Sequence, residues 1–170
     1  EADEMLSMGF IEDIEAILKN TPAVRQTALF SATLPKEIRR LASSYMNNPQ
    51  SFAIGGKQLT VDTVEQRYYI VRESDRIAAL TRLFEGEDLT RALVFTRTRL
   101  GSSDLVNELS QRGYPAEALN GDLSQEVRER VLNRFRNNQI KVLVATDVAA
   151  RGLDIDDISH VVNFDMPQDP

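Results

Sequence analysis

The sequence contains no cysteine, no tryptophan and a single histidine, His160. Without cysteine there can be no disulfide, and zinc sites built from cysteine and histidine are excluded as well. No apolar run approaches the roughly 18 residues that a membrane-spanning helix needs. The formal net charge is −6, which argues against a surface that is basic throughout but leaves room for a local basic strip. A globular protein in the cytoplasm is the default expectation.

The residues that are present describe an ordinary globular composition. The chain has 170 residues, of which 42% are hydrophobic and 27% charged, enough for one domain or parts of two. From residue 61 onward every basic residue except Lys141 is arginine. Because the planar guanidinium group suits bidentate phosphate contacts, an anionic ligand is one interpretation. An arginine-rich composition without functional meaning is the other.

The apolar periodicity changes after a glycine-containing segment, Gly55 to Thr63, which we interpret as a linker. Before it, helices are predicted over 10–18 and from Pro35 onward, with short strands at 26–30 and 51–54. After it, strands and helices alternate. The predicted strands are 64–71, 92–96, 116–119, 141–146 and 160–164, and the predicted helices are 74–84, 102–112 and 124–135, with Gly113 ending the second. This alternation predicts an α/β fold with a parallel sheet.

The stretch from Ile140 to Asp154 is the most informative part of the sequence. A run of apolar, β-branched residues predicts a strand buried on both faces, and it opens into a polar loop. Open α/β sheets bind ligands just past the carboxyl ends of their strands. Thr146 offers a hydroxyl there, Arg151 a fork of donors, Gly152 room for close approach, and Asp154 a carboxylate for sugar hydroxyls. A strand followed by a loop with solvated charges is the alternative.

Three shorter patterns allow both a functional and a structural interpretation. Glu1 and Asp3 are carboxylates suited to a metal and a water molecule, or simply the acidic start of a helix. The hydroxyls of Ser31 and Thr33 follow a predicted strand, or form a turn. The segment 120–122, Asn-Gly-Asp, is also typical of a turn. His160 has no partner pattern and is interpreted as structural.

Gln125 and Arg128 are three residues apart near the start of a predicted helix, so they share one face. Helix N-termini favour anions, which Arg128 would reinforce, although a solvated face explains the pair equally well. The sequence has no P-loop: its only Gly-Lys pair, Gly56-Lys57, has Ser51 and Gln58 where the motif requires glycine and Ser or Thr. Nucleotide chemistry therefore needs groups from outside this chain.

Taken together, the motifs resemble one family. Five motifs follow one another along the chain: Glu-Ala-Asp, Ser-Ala-Thr, Val-Phe-Thr-Arg-Thr, Leu-Asn-Gly-Asp-Leu-Ser-Gln-x-x-Arg and Ala-Thr-Asp-Val-Ala-Ala-Arg-Gly-Leu-Asp. Their order resembles that of the DEAD-box RNA helicases, and the motifs look most like the bacterial cold-shock type. The resemblance implies two RecA-like lobes that close with ATP and Mg²⁺ and unwind short RNA duplexes. RNA is the implied partner, bound mainly through its backbone, with ribosomal or RNA-decay assemblies as candidate larger partners and no membrane.

The resemblance also implies site residues, carried over by position. The catalytic group is Glu1, Asp3, Ser31 and Thr33, with Asp3 also at the metal site. The ATP-binding group is Arg151, Gly152 and Asp154, with Asp154 at the ribose. The RNA-binding group is Thr98, Gly121, Gln125, Arg128 and Thr146, in which Gln125 matches the position that braces Arg128.

By the same resemblance, residues 1–54 are the C-terminal part of the first lobe, 55–63 a linker, and 64–170 a truncated second lobe. The first aspartate of the DEAD motif, the P-loop and an arginine-rich motif expected after Pro170 are absent from the sequence. We therefore expect an ATP-dependent RNA helicase in the intact protein and no ATPase activity from this fragment alone. The alternative is a non-catalytic RNA- or protein-binding module built on a RecA-like lobe.

Overall fold

The computed structural model describes residues 1–54, 64–153 and 155–166. The chain forms two compact units, Glu1–Glu65 and Gln66–Pro170. The predicted linker, 55–63, lies outside the described residues, and the assignment of the two lobes stays a prediction. Within the described part of the chain, no helix has the length and apolar character needed to cross a membrane.

The described residues of the first unit form three helices: α1 (Ala2–Ser7), α2 (Ile11–Lys19) and α3 (Lys36–Tyr45). Helix α3 buries Ile38 and Leu41, which are one turn apart on its apolar face. Pro35 precedes the helix as its N-cap rather than lying within the first turn. Both long helices lie where the apolar periodicity predicted them.

The strands predicted at 26–30 and 51–54 are wrong, since neither segment pairs in a ladder within the part of the chain that the structure describes. Exposure alternates along 25–30, as it does in a strand, and Phe30 is 79% exposed. An extended segment becomes a strand only when a neighbouring strand pairs with it along a ladder of hydrogen bonds, and among the described residues of this unit no such ladder forms.

The second unit is a parallel α/β structure. A short 3₁₀ turn (Glu73–Asp75) leads into α4 (Arg76–Gly86), β1 (Ala92–Thr96), α5 (Arg99–Gln111), β2 (Ala116–Leu119), α6 (Gln125–Arg136), β3 (Val142–Thr146), α7 (Asp147–Ala150) and β4 (His160–Asn163). The four strands lie in the order β2-β3-β1-β4 and every neighbouring pair is parallel. The α/β fold class is therefore confirmed.

Helices cover both faces of this sheet, which explains why its inner strands are apolar up to their final threonines. Val142 and Val144 of β3 pack with α4 and α5, whereas Leu143 and Ala145 pack with α6. Strand β1 divides its side chains in the same way. Because alternate side chains of a strand point to opposite faces, a strand buried on both faces needs an unbroken apolar run. All five residues of β3 are buried.

Most element boundaries agree with the sequence prediction to within one or two residues. Helix α5 begins three residues earlier than predicted because the hydroxyl of Thr98 accepts a hydrogen bond from the Gly101 N–H and starts the helix there. Gly113 follows α5 with a φ of +85°, as expected of a glycine that ends a helix. Helix α7 was not predicted, and the predicted strand at 64–71 has no ladder partner in the described residues.

Candidate functional site

In the first unit the structure brings Asp3, Ser31 and Thr33 together. Asp3 Oδ2 accepts two hydrogen bonds from Thr33, one from the backbone N–H at 2.8 Å and one from the hydroxyl at 2.7 Å. The Asp3 N–H in turn donates to the Ser31 hydroxyl at 3.1 Å. The bond from the Thr33 hydroxyl is the main reason that the pKa of Asp3 lies well below its usual value. The ionised carboxylate thus ties α1 to the segment 31–33.

Glu1, the fourth residue predicted to be catalytic, is not part of this group. It is exposed and precedes α1, and no hydrogen bond or ion pair reaches its carboxylate from any residue that the structure describes. The Ala2 N–H beside it donates to the Phe30 carbonyl at 3.1 Å. This backbone bond holds the start of α1 against the end of the extended segment.

The contacts of Asp3 leave no more than one free carboxylate oxygen for Mg²⁺. Mg²⁺ in proteins is bound through one or two carboxylates, completed by waters and phosphate oxygens. Asp3 Oδ2 is occupied by Thr33, and Oδ1 is buried without a hydrogen-bond partner in the described structure. No group of three or more His, Cys, Asp or Glu side chains suited to a metal occurs in the described ranges either. The metal role of Asp3 stays a prediction.

In the second unit, three of the five predicted RNA-binding residues lie at one edge of the sheet. Thr146 ends β3 and pairs in register with Thr96 at the end of β1, so the carboxyl ends of these strands coincide. Thr98 lies two residues beyond β1, and Gly121 lies two residues beyond β2, the strand on the other side of β3. This edge is the place where parallel sheets bind ligands.

The first turn of α5 presents polar groups at this edge. Thr98 is exposed and its hydroxyl accepts from the Gly101 N–H at 3.0 Å, so it caps the helix. Uncapped N–H groups at a helix N-terminus carry partial positive charge that favours an anion. Arg99 forms an exposed ion pair with Asp122, and a Cβ at Gly121 would lie 3.7 Å from the Arg99 Cδ. The loop after β2 therefore contacts the start of α5.

Gln125 and Arg128, which the resemblance pairs, each form a hydrogen bond with another residue of the described structure. Gln125 Nε2 donates to Glu129 Oε1 at 2.9 Å, one turn along α6. Arg128 is half-buried, and its Nη2 donates to the carbonyl oxygen of Ala149 in α7 at 2.6 Å. Arg128 therefore ties α6 to the segment that follows β3, whereas Gln125 lies on the exposed face of the helix.

The predicted ATP-binding residues follow α7. Arg151 is half-buried with an extended backbone, and Gly152 has a φ of +68°, in the left-handed region where glycine is favoured. A Cβ built at Gly152 meets nothing within 4 Å, so space lies beside it. Asp154 lies outside the described residues, and its predicted role at the ribose has no structural test.

A cluster at the end of β4 was missed by the sequence interpretation. Asp165 accepts hydrogen bonds from Arg76 Nη2 and the Arg97 N–H, both at 2.8 Å, and the Arg76 guanidinium lies 4.4 Å from the centre of the Phe164 ring. Burial raises the pKa of Asp165, but the bonds from Arg97 and Arg76 outweigh burial and leave it below its usual value. The cluster fixes the start of α4 to the carboxyl edge of the sheet.

Two buried polar residues beside the same edge were also missed. Ser102 is completely buried and Asn120 is 5% exposed. Asn120 was visible in the sequence only as part of an Asn-Gly-Asp turn. Ser102 falls on the apolar face of α5, where a small polar residue gives no pattern of its own.

Comparisons with known proteins match both units of the chain. The DEAD/DEAH box helicase model matches residues 1–41, and the helicase conserved C-terminal domain model matches residues 75–170, more than half of the chain. DEAD-box ATP-dependent RNA helicase CshA of Geobacillus kaustophilus is 53% identical over all 170 residues, which are 36% of that protein. The chain thus spans about a third of the length of the curated relatives it matches.

Solved structures show the same fold. S. cerevisiae Dbp5 bound to RNA and ADP BeF3 superposes with a TM-score of 0.84 at 32% identity, over 98% of this chain and 43% of that one. A DEAD box protein from Methanococcus jannaschii superposes with a TM-score of 0.61 at 40% identity, over 99% of this chain and 45% of that one. With the helicase C-terminal model covering the sheet and the DEAD model covering the Asp3–Thr33 group, the chain belongs to the DEAD-box helicase family.

Proposed function

We propose that the chain is part of an ATP-dependent RNA helicase that separates short RNA duplexes by ATP-driven closure of two lobes. The observation that carries the proposal is the placement of Thr98, Gly121 and Thr146 at one carboxyl edge of the sheet, beside the N-terminus of α5. Hydroxyl groups, backbone N–H groups and a positive helix end suit a polyanion. S. cerevisiae Dbp5, which has the same fold, has been solved bound to RNA and ADP BeF3.

RNA would be held through its backbone, with little discrimination between bases. Thr98 and Thr146 offer hydroxyls, and Gly121 allows a phosphate to approach the main chain closely. Contacts of this kind read phosphates and 2′-hydroxyls, which are the same at every nucleotide. Arg128 would act mainly by holding α7 through the Ala149 carbonyl, with its charge as a second contribution. Gln125, which bonds to Glu129, would act through the exposed face of α6.

ATP would contact Arg151, Gly152 and Asp154 in the segment after α7. The space beside Gly152 supports close approach of a nucleotide to the backbone, and Arg151 brings a donor fork suited to phosphate. Bound ATP supplies the phosphoanhydride bond whose hydrolysis limits how long the closed state lasts. Mg²⁺ would accompany the nucleotide, held chiefly by phosphate oxygens and water.

Asp3, Ser31 and Thr33 would link α1 to the segment 31–33. Two of their hydrogen bonds converge on one carboxylate oxygen, so movement at either end is transmitted to the other. The catalytic role of Glu1 rests on the family resemblance alone. Ribosomal or RNA-decay assemblies and a cytoplasmic location likewise stay predictions from the sequence.

The proposal is tested in a full-length helicase, meaning a protein of the relatives' length that contains these residues. We expect ATP hydrolysis that RNA stimulates, and ATP-dependent separation of a short RNA duplex. The 170-residue chain alone should hydrolyse no ATP, because the sequence has no P-loop. A full-length protein that binds RNA but neither hydrolyses ATP nor separates duplexes would favour the non-catalytic binding module instead.

A further inference from the structure

A buried hydrogen-bonded group joins the loop after β2 to the first turn of α5. Asn120 Nδ2 donates to the Ser102 hydroxyl at 2.8 Å and to the Arg99 carbonyl at 3.4 Å. The Ser102 hydroxyl donates to the same Arg99 carbonyl at 2.6 Å. On its other side, Asn120 Oδ1 accepts from the Asp122 N–H at 3.1 Å. The group therefore spans both backbone segments that carry Thr98 and Gly121.

The chemistry of the partners fixes the direction of every bond. The Asp122 N–H can only donate, so the atom of Asn120 that faces it must be the amide oxygen. The Arg99 carbonyl can only accept, so the amide nitrogen must face α5. Ser102 donates its single hydroxyl hydrogen to Arg99 and therefore accepts from Asn120. An asparagine side chain, with a donor on one side and an acceptor on the other, matches both neighbours at once.

From this geometry we propose that Asn120 and Ser102 are positioning residues for RNA, setting the spacing between Gly121 and the N-terminus of α5 so that both meet consecutive parts of one RNA backbone. The inference rests on the proposed RNA-binding function. Neither side chain touches RNA, since both are buried. They act by holding the main chain of 98–99 and 120–122, which carries the exposed groups that would bind.

The location of the group distinguishes this role from general support of the core. Leu105 and Leu109 of α5 pack into a hydrophobic cluster of the second unit, whereas the side-chain hydrogen bonds of Ser102 and Asn120 reach only Arg99, each other and Asp122. What the group supports is local: the ends of two segments at the carboxyl edge. Buried polar networks with every partner present specify one arrangement of the groups they join.

The test compares Ser102→Ala and Asn120→Ala with a matched control, Thr81→Val, in the full-length helicase. Thr81 is also a buried helical residue whose hydroxyl donates to main-chain carbonyls of its own helix, but it lies on α4. We expect both site variants to raise the RNA concentration for half-maximal ATPase by about tenfold, with kcat at saturating RNA nearly unchanged. Thr81→Val should leave both quantities at the parent values.

Hydrogen exchange gives a second measurement that does not depend on activity. In Ser102→Ala, the amide protons of residues 120–122 and 98–99 should exchange faster together, while those of β1 and β3 keep their protection. Alanine favours helix, so this variant should fold even if Asn120→Ala does not. The variant with both substitutions should bind RNA as tightly as the weaker-binding of the two single variants, because each single substitution already disrupts the same hydrogen-bonded group.

Two failures can be told apart. If the parent protein binds no RNA, the proposed function fails, and the inference fails with it. If the parent binds RNA and Ser102→Ala behaves like Thr81→Val in RNA-dependent ATPase, the function stands and the positioning role is overturned. Equal losses of melting temperature in these two variants, without a change in RNA dependence, would also overturn the positioning role.

Discussion

At the scale of single residues, Arg128 has two candidate roles: contact with an anion and support of α7. The sequence places it near a helix N-terminus, where a positive charge beside an anion is reasonable. In the structure its guanidinium donates to the Ala149 carbonyl at 2.6 Å, so one of its functions is to hold α7. Charge and geometry are separable for arginine, because lysine keeps the charge and loses the planar fork.

Arg128→Lys and Arg128→Ala therefore separate the two interpretations. If the phosphate contact dominates, Arg128→Lys retains RNA binding, and only Arg128→Ala lowers the salt dependence, by about one contact. If the bond to Ala149 dominates, as we expect, both variants weaken RNA-stimulated ATPase to a similar extent. RNA binding titrated at several salt concentrations, alongside ATPase, makes the measurement. A charge-retaining variant that behaves like the parent would disprove the bracing role.

Asp3 and Thr33 give a prediction about pH. The pKa of Asp3 in the folded protein lies below its unfolded value, so its ionised form stabilises the fold above the unfolded pKa. That contribution is lost as the pH falls through the folded pKa. Thr33→Val removes the hydroxyl bond and should lower the melting temperature at neutral pH, with the deficit shrinking below about pH 4.

Melting curves of the full-length helicase between neutral pH and about pH 3 make this comparison. Thr27→Val, on the extended segment that precedes Thr33, is the matched control, because the Thr27 hydroxyl is bonded to Arg25 rather than to a carboxylate. A Thr33→Val deficit that is constant across the pH range would show that the hydroxyl stabilises by packing and not through the ionised carboxylate.

At the scale of elements, the sequence predicts the second unit well and the first unit poorly. The runs at β1 and β3 are apolar without interruption because helices cover both faces, and that pattern is local and readable. The segment 26–30 has the same strand-like character but finds no ladder partner in the described residues of its unit. Pairing depends on residues far away in sequence, so no local pattern reveals it.

The candidate site divides in the same way. Thr98, Gly121 and Thr146 could be predicted because each lies at or just beyond the end of an apolar run, and these runs end at the same edge. Ser102 could not, since its role depends on a partner 18 residues away that the helical pattern does not show. Short α7 escaped prediction because four residues carry too little periodicity to distinguish a helical turn from a loop.

The cap of α5 gives a prediction at this scale, because Thr98 serves both the helix and the proposed RNA contact. Thr98→Ala removes the cap and should destabilise the protein by about 1 kcal/mol. Thr98→Asp keeps a capping oxygen and complements the helix dipole, so its stability should match the parent. Its negative charge would nevertheless repel phosphate and weaken RNA binding. Denaturant titration and RNA binding of the two variants separate the roles.

Thr98→Ser is the control for both measurements, since it keeps the hydroxyl. A Thr98→Asp protein that is stable and binds RNA as tightly as the parent would show that no phosphate lies near this helix end.

At the scale of the whole chain, the net charge of −6 has to be reconciled with a polyanionic ligand. Several of the arginines form ion pairs with glutamates and so do not contribute to a basic strip. Arg112, Arg130 and Arg134 pair with Glu108, Glu126 and Glu117 on the surface. Exposed pairs of this kind contribute little to stability, but they reduce the positive field that RNA would meet. Binding through hydroxyls and main-chain N–H groups at the sheet edge is the arrangement that such a surface permits.

The last prediction concerns Asp154, which the sequence places just beyond the buried strand β3 and its following turn. A carboxylate that accepts bonds from ribose hydroxyls makes charge-assisted hydrogen bonds, each contributing about 1.5–3 kcal/mol. Most of the nucleotide would be held outside this chain, since the sequence has no P-loop. Asp154→Ala in the full-length helicase should therefore spare ATP binding without RNA and impair RNA-stimulated turnover.

Asp156→Ala is the matched control, because Asp156 is an exposed carboxylate two residues away whose carbonyl, not its side chain, bonds Arg91. If Asp154 instead caps a turn, Asp154→Ala would have a lower melting temperature and the parent's turnover per folded molecule. Turnover and melting temperature, measured on the same samples, decide between the two interpretations. Loss of the ribose contact should lower RNA-stimulated ATPase and leave the melting temperature and the RNA-free nucleotide affinity at the values of Asp156→Ala.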